Sequence, residues 1–475
     1  MRHPLAVTII AMAVVTVGLV GCASAPDKVV PAASASMIDA LFTVQAAGGR
    51  SLVRVITRSS RCPDIVWAGG QRQGMSVRAE AAVLPPRGDS AQRDSKPAHF
   101  DVLTCEVAWP TGVAGAMVES RAVPAPAKEI RRIVLIADTG CRMKASEDAF
   151  QDCNNNARWP FAEVARQAAA FKPDLVVHIG DIHYRESPCP AGNAGCAGSP
   201  WGYGADTWRA DLFEPAAPLL AVAPWLFVRG NHESCARAGQ GWFRFIDASP
   251  FTTARSCNSP AQDVDADFSA PYTVALDASA GAQLIVFDSS KSSGKAYAAS
   301  DAAFAQYAAQ MRHVATLAAQ AQHSFFLSHH PLLAFAPVDG VGKTKPGGSR
   351  GLQSAFASVY PTRLFPDNVS VVMHGHMHLF EAMSFSSDHP ASMIFGNAGS
   401  AIEGHPPTAV AAGTEAYPGA HIDDYASSSA YGFAVMDRLD APGAASWRVT
   451  EYDVSGRAQI VCEVRGTKSR CLPAQ

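Results

Sequence analysis

Late in the chain, Val372-Met373-His374-Gly375-His376-Met377-His378 carries two imidazoles at Gly-His-x-His spacing. Four upstream segments hold other groups able to bind a cation. They are Ile136-Ala137-Asp138-Thr139-Gly140, Gly180-Asp181-Ile182-His183-Tyr184, Gly230-Asn231-His232-Glu233 and Ser328-His329-His330-Pro331. Carboxylate, phenol, amide and imidazole together can hold two neighbouring cations, one carboxylate bridging both. Such a pair, roughly 3.5–4 Å apart, lowers the pKa of bound water and neutralises the oxygens of an anionic ester. Singly each segment is weak, since Gly-Asp is common by chance and His-His-Pro is more often a turn. Their weight comes from their order and from the apolar run before each.

Those runs must position the ligands. Residues 133–137, 226–228, 284–287, 325–327 and 371–373 are continuously apolar, and 175–179 is apolar but for His178, as strands covered on both faces are. Helical spacing over 160–171 is stopped by Lys172-Pro173, and 302–322 reads as one long helix. Strands alternating with helices argue an α/β domain, spanning 128–462. A side chain just past the carboxyl end of such a strand points into the crevice of the sheet, where all five clusters stand. Residues 46–127 instead show short alternating runs and turn residues, which predict a small antiparallel β domain without ligand clusters. The segments 431–436 and 447–450 read as a strand pair closing the second sheet, followed by a tail at 463–475. Inserts at 187–203 and 336–351, the latter with Lys343, Lys345 and Arg350, follow ligand strands as binding loops or as plain surface loops.

The chain has 475 residues, 48% hydrophobic and 17% charged, with a net charge of −3. That suits two globular domains and argues against an electrostatic grip on nucleic acid or a membrane. Arg2 and His3 precede an apolar run over 5–20, shorter than the roughly 20 residues a transmembrane helix needs. Residues 1–22 therefore read as an export signal. The ending Leu19-Val20-Gly21-Cys22 resembles a bacterial lipobox, which implies cleavage before Cys22 and lipid on its sulfur. The alternative is an ordinary signal peptide cut near Ala23-Ser24-Ala25. Residues 23–45, rich in Ala, Ser and Pro, read as a tether. The resemblance implies a cell-envelope lipoprotein on the periplasmic face, and Ala23 after Cys22 favours the outer membrane of a cell with two. Setting Cys22 aside leaves ten cysteines, which in an exported chain suggest disulfides. The simplest pairing joins sequence neighbours: 62 with 105, 141 with 153, 189 with 196, 235 with 257 and 462 with 471.

The order and types of the five clusters resemble the metallophosphoesterase (calcineurin-like) superfamily, whose fold is a four-layer α/β/β/α sandwich. Tyr184, at the fourth place of Gly-Asp-x-x-Tyr, narrows the resemblance to the purple acid phosphatase branch. The commoner branch has Asp-x-His at the first cluster; here Thr139-Gly140 follows Asp138, and Tyr184 fills that vacancy. Carried over residue by residue, the resemblance implies that Asp138, Tyr184 and His378 bind the first metal. Asn231, His329 and His376 would bind the second, and Asp181 would bridge both. A phenolate with carboxylates is a hard set suited to Fe(III), and the second site would take Fe(II), Zn(II) or Mn(II). His232 would face the substrate and assist the leaving group, and Glu233 would orient His232 or cap the following helix. His183 and His330 are candidate pocket residues, and His374 is a buried histidine behind the ligands. The tract Gly396-Asn397-Ala398-Gly399-Ser400 resembles a glycine-rich turn whose role is close backbone packing.

The expected activity is hydrolysis of phosphate monoesters on a phosphorylated small molecule, a hydroxide of the dimetal centre attacking phosphorus in line. The rivals are a phosphodiesterase or nucleotide hydrolase on the same centre, and a non-catalytic envelope protein that keeps the fold to bind a ligand.

Overall fold

The apolar runs form strands buried on both faces. Arg132–Ile136, Leu175–Ile179 and Trp225–Val228 pair in parallel in one sheet. Ala282–Phe287, His323–Ser328, Val369–His374 and Ala391–Phe395 do the same in a second. The computed structural model describes Met1 and residues 36–475, apart from 88–94, 278–280, 339–343, 403, 408 and 440–445. The expected export signal, Cys22, the tether up to residue 35 and Lys343 lie outside the described residues. All that follows concerns the unit Met37–Gln475.

Alternation along each strand builds the layers. Ile133, Leu135, Val177 and Leu226 meet Leu284, Phe325, Leu327, Val371 and Met373 between the two sheets. The opposite face of the first sheet, including Val134, Ile136 and Val176, packs on Phe161, Val164 and Ala168 of helix Phe161–Ala170. On the far side, Ile285, Phe287, Phe326 and Val372 pack on helices Ala302–Ala318 and Arg350–Ala357. Helix, sheet, sheet and helix are thus stacked in the expected four-layer order. Burying each large apolar side chain is worth about 1.5–3 kcal/mol. A one-residue slip of a strand would exchange its two faces, so the register is strongly specified.

Several expectations are corrected. Residues 38–45, read as tether, form strand Ile38–Gln45, which joins Trp225–Val228 in parallel and Ser51–Thr57 antiparallel. The amino-terminal β region is therefore not a bead beside the α/β domain. Its strands Ile38–Gln45, Ser51–Thr57, Leu103–Ala108 and Ser76–Ala79 extend the first sheet to eleven strands. A four-stranded sheet then covers them through Ile65, Trp67 and Val118. Buried Arg54 fastens this extension by donating to the carbonyls of Phe245 at 2.8 Å and Asp247 at 2.5 Å.

The carboxyl-end pair closes the first sheet rather than the second, because Gly432–Arg438 pairs antiparallel with Arg132–Ile136. Ser446–Asp453, Ala458–Arg465 and Lys468–Pro473 follow it, so the expected tail is the sheet's edge. The long helix ends at Ala318, four residues before 322, and the chain turns there into His323–Ser328. All five cysteine pairs expected from sequence order are disulfides. Among the described residues, no helix is long and apolar enough to cross a membrane.

Candidate metal centre

Each candidate ligand stands in the turn after a strand. Asp138 follows Arg132–Ile136, Asp181 follows Leu175–Ile179, and Asn231 follows Trp225–Val228. His329 follows His323–Ser328, and His376 and His378 follow Val369–His374. Asp138, Asp181 and His376 have φ of 55°, 52° and 73°. A left-handed conformation at a residue with a side chain is strained and persists only where the surroundings over-determine it. Here it reverses the chain sharply enough to turn three candidate ligands into one crevice.

The polar atoms converge. Tyr184 Oη donates to Asp138 Oδ1 at 2.8 Å and lies 2.9 Å from His378 Nε2 and 3.3 Å from Asp181 Oδ2. His329 Nε2 is 3.0 Å from that same Asp181 Oδ2. Ligand atoms of Asp181, His329 and His376 all lie within 4.8 Å of one another. Asp181 therefore stands between a group containing Asp138, Tyr184 and His378 and a group containing His329 and His376. The backbone locks the rings: His329 Nδ1 meets the carbonyl of Ile179 at 2.8 Å, and His378 Nδ1 that of Ala401 at 2.7 Å. In both, Nε2 is left for the crevice.

The donor set fits cations. Asn231 Oδ1 is buried without a hydrogen-bond partner, and so is His329 Nε2, which lies near Asp181 without hydrogen-bond geometry. Such orphaned polar atoms are a cost the fold would not carry for nothing. Burial and the charges of Asp138 and Asp181 push the Tyr184 hydroxyl well above its usual range. Burial would raise the Asp181 carboxyl, but the His329 and His232 charges outweigh it and hold it well below the usual carboxylate range. Burial would lower His329, yet Asp181 beside it raises that imidazole to about 9. Two carboxylates and a phenol thus share one crevice with the imidazoles, buried except at His376, which is exposed. Hard oxygen donors with imidazoles suit transition metals such as iron, manganese or zinc.

Of the supporting residues, Asp211 carries no signal in the sequence, and Glu233 does more than its position indicates. Glu233 neither orients His232 nor serves only as a cap. Its carboxylate accepts the N–H groups of Gly230, Asp181, Ile182 and His183 at 2.8–3.1 Å and so shapes the Asp181 turn. Burial and the nearby Asp181 charge raise it to about 7. Asp211 accepts the N–H of Cys141 at 3.1 Å and of Tyr184 at 2.9 Å, tying the first two ligand turns together. Gly230 is required by close approach: a Cβ there would lie 2.1 Å from Asp181 Oδ1 and 2.2 Å from Asp181 N. Gly230→Ala is therefore expected to displace Asp181 and destabilise the protein by about 1–3 kcal/mol. Thermal unfolding with metal analysis checks this. Gly396 behaves likewise, with Met377 O 2.0 Å from its would-be Cβ, and Ser400 N–H donates to Asp138 O at 2.7 Å. The glycine-rich turn packs as expected.

His232 lies against the centre without joining it. Its N–H donates to Asp181 Oδ1 at 2.8 Å, and its ring packs on Tyr184 with centroids 3.9 Å apart. His183 does not line a mouth. The turn that returns Tyr184 to Asp181 sends His183 into the core, fully buried against Tyr203 and Trp208 and 2.9 Å from Thr207 Oγ1. His330 packs against the ring of His376, centroids 4.3 Å apart, with Ser289 Oγ accepting its N–H. His374 is buried behind the ligands on Ser328, as expected. The 187–203 insert is stapled by Cys189–Cys196 and packs on Cys141–Cys153 through Trp159 and Trp201.

Among solved structures, the chain is similar to the purple acid phosphatase PPD1 from yellow lupin (Lupinus luteus) seeds. The TM-score is 0.52 at 14% identity, covering 91% of this chain and 74% of that one. That likeness speaks to the fold. A structure of PhoD matches with a TM-score of 0.48 at 10% identity, covering 93% of each chain. A dimetal phosphatase from Danio rerio matches with a TM-score of 0.36 at 14% identity, covering 73% of this chain and all of that one. No curated protein matches the chain. Residues 131–380, more than half of the chain and all five ligand turns, match the family model for calcineurin-like phosphoesterases. With the sandwich and the converging ligand turns beside that match, the chain belongs to the calcineurin-like phosphoesterase family.

Proposed function

We propose that this phosphoric ester hydrolase removes phosphate from monoesters, with a metal pair of the purple acid phosphatase type. Asp138, Tyr184 and His378 would hold one ion, Asn231, His329 and His376 the other, and Asp181 both. The observation that carries the reading is Tyr184 Oη set among Asp138, Asp181 and His378 within 3.3 Å. A phenolate in that position makes the first site hard enough for Fe(III). When bound, the metal pair supplies positive charge for the phosphoryl oxygens and an activated water. The chain supplies the rest. Asp181 is oriented by the His232 N–H, and the rings of His329 and His378 are fixed by carbonyls. His232, with Nε2 turned toward Asp181, would give a proton to the departing alkoxide. Five disulfides support the exported location implied by the amino terminus.

Metal analysis, an absorption spectrum and a panel of monoesters and bis-esters test the proposal together. The expected result is two metal ions per chain, a visible charge-transfer band that Tyr184→Phe abolishes, and faster turnover of monoesters. An iron-loaded protein without that band would remove Tyr184 from the centre. Faster turnover of a bis-ester would replace the monoester reading by its phosphodiesterase rival.

A further inference from the structure

The two sheets meet through apolar side chains such as Leu226 and Leu284, and such packing has no preferred direction. The ligands assigned to the second ion come from both sheets. Asn231 follows a strand of the first, and His329 and His376 follow strands of the second. Their spacing therefore needs something more directional than apolar contact, and Arg229 supplies it. Arg229 comes directly after strand Trp225–Val228 and is 2% exposed. Its Nε donates to the carbonyl of Glu233 at 2.8 Å, which closes the Asn231 turn on itself. Nη1 donates to the carbonyl of Ala266 at 2.6 Å and to Asp288 Oδ2 at 3.3 Å, and Nη2 to Asp267 Oδ1 at 3.1 Å.

Asp288 comes from the other sheet, directly after strand Ala282–Phe287. Its carboxylate also accepts the N–H groups of Ser269 and Ser290, both at 3.0 Å, so it is held from three sides. Next to it is Ser289, whose Oγ accepts the N–H of His330, the neighbour of His329. Asp267 accepts the N–H of Cys235 at 2.7 Å, and Lys291 Nζ is 3.4 Å from its second oxygen. A buried ion pair adds little stability beyond what apolar side chains of the same volume would give. What it can add is a single fixed arrangement, and the rigid plane of a guanidinium suits that use. We infer that Arg229 is a positioning residue for the second ion, a latch between the sheets that sets the Asn231 turn against the His329 turn. Slack in the latch would draw Asn231 away from the two imidazoles and leave the turns of Asp138, Tyr184 and His378 in place. The inference rests on the proposed metal pair.

The test uses protein loaded with one iron and one zinc, so that each element reports its own site. Samples are dialysed against rising concentrations of a chelator, and retained metal is measured beside far-UV circular dichroism. Arg229→Met/Asp288→Asn removes the central pair and leaves Asp267 with Lys291, so that no charge is buried alone. It is expected to release zinc at a chelator concentration about 10–100-fold below that for wild type, the usual effect of losing a partner behind a metal ligand. Iron and its visible band should be retained as in wild type. In an Asn231→Ala background the same changes should add little to the loss of zinc. Zinc held as in wild type, iron and zinc lost together, or a full further loss without Asn231 would show a merely structural pair and overturn the inference. Should the double variant not fold, Arg229→Lys keeps the charge but cannot serve all of these acceptors. It is expected to release zinc several-fold earlier with iron unmoved, and unmoved zinc there would also overturn the latch. A wild type that fails to hold both metals would instead overturn the metal-pair reading, and the inference with it.

Discussion

Asp181→Asn is expected to produce a folded protein that holds less metal and turns over a generic aryl phosphate at least about 100-fold more slowly. Loss of a partner that merely surrounds a ligand already costs about 10–100-fold in affinity or activity, and Asp181 is nearer the centre than that. Its Oδ2 lies 3.0 Å from His329 Nε2 and 3.3 Å from Tyr184 Oη, on the line between the two ligand groups. An amide keeps the shape, and its oxygen can still accept the His232 N–H at Oδ1. It carries no charge and only one oxygen, so it is a far weaker bridge between two cations than a carboxylate. Metal content per chain, measured beside kcat and far-UV circular dichroism, separates this result from unfolding. Wild-type turnover with full metal content would take Asp181 out of the bridge.

His232→Ala has the second largest expected effect and a different signature. General acid assistance is worth about 10²–10⁴-fold, so kcat on an alkyl phosphate should fall within that range. Nitrophenyl phosphate should be affected less, and metal content should stay as in wild type. The structural grounds are that His232 is 8% exposed at the edge of the centre, with Nε2 toward Asp181 and Nδ1 toward the protein. Loss of metal in this variant, or an equal fall on both esters, would instead make His232 a prop for Tyr184, whose ring it covers.

The ligand turns and the sandwich were legible in the sequence because both are encoded locally. A strand such as Arg132–Ile136, covered on both sides, has to be apolar from Ile133 onward, and its ligand follows within two residues. The cysteine pairs were legible for a similar reason, since their partners lie 7–43 residues apart. What failed were inferences about partners at long range. Residues 38–45 read as tether because Ala and Ser dominate the residues before them, yet Ile38–Gln45 is bracketed by Ser51–Thr57 and Trp225–Val228. The strand pair after residue 431 carries the same alternation whichever sheet it closes, and nothing in that alternation selects Arg132–Ile136 as its neighbour.

The sequence by itself determined which groups could meet a cation, their order, and the apolar strands that had to present them. Only the tertiary structure decided what stands behind those groups. Arg54 finds the carbonyl of Phe245, 191 residues away. Glu233 wraps the Asp181 turn, Arg229 of one sheet reaches Asp288 of the other, and His183 goes to the core instead of a mouth. The physical reason is one of range: backbone conformation and burial are written in neighbouring residues. The partner of a buried charge is whatever the packed layers bring to it, and only the assembled layers specify that.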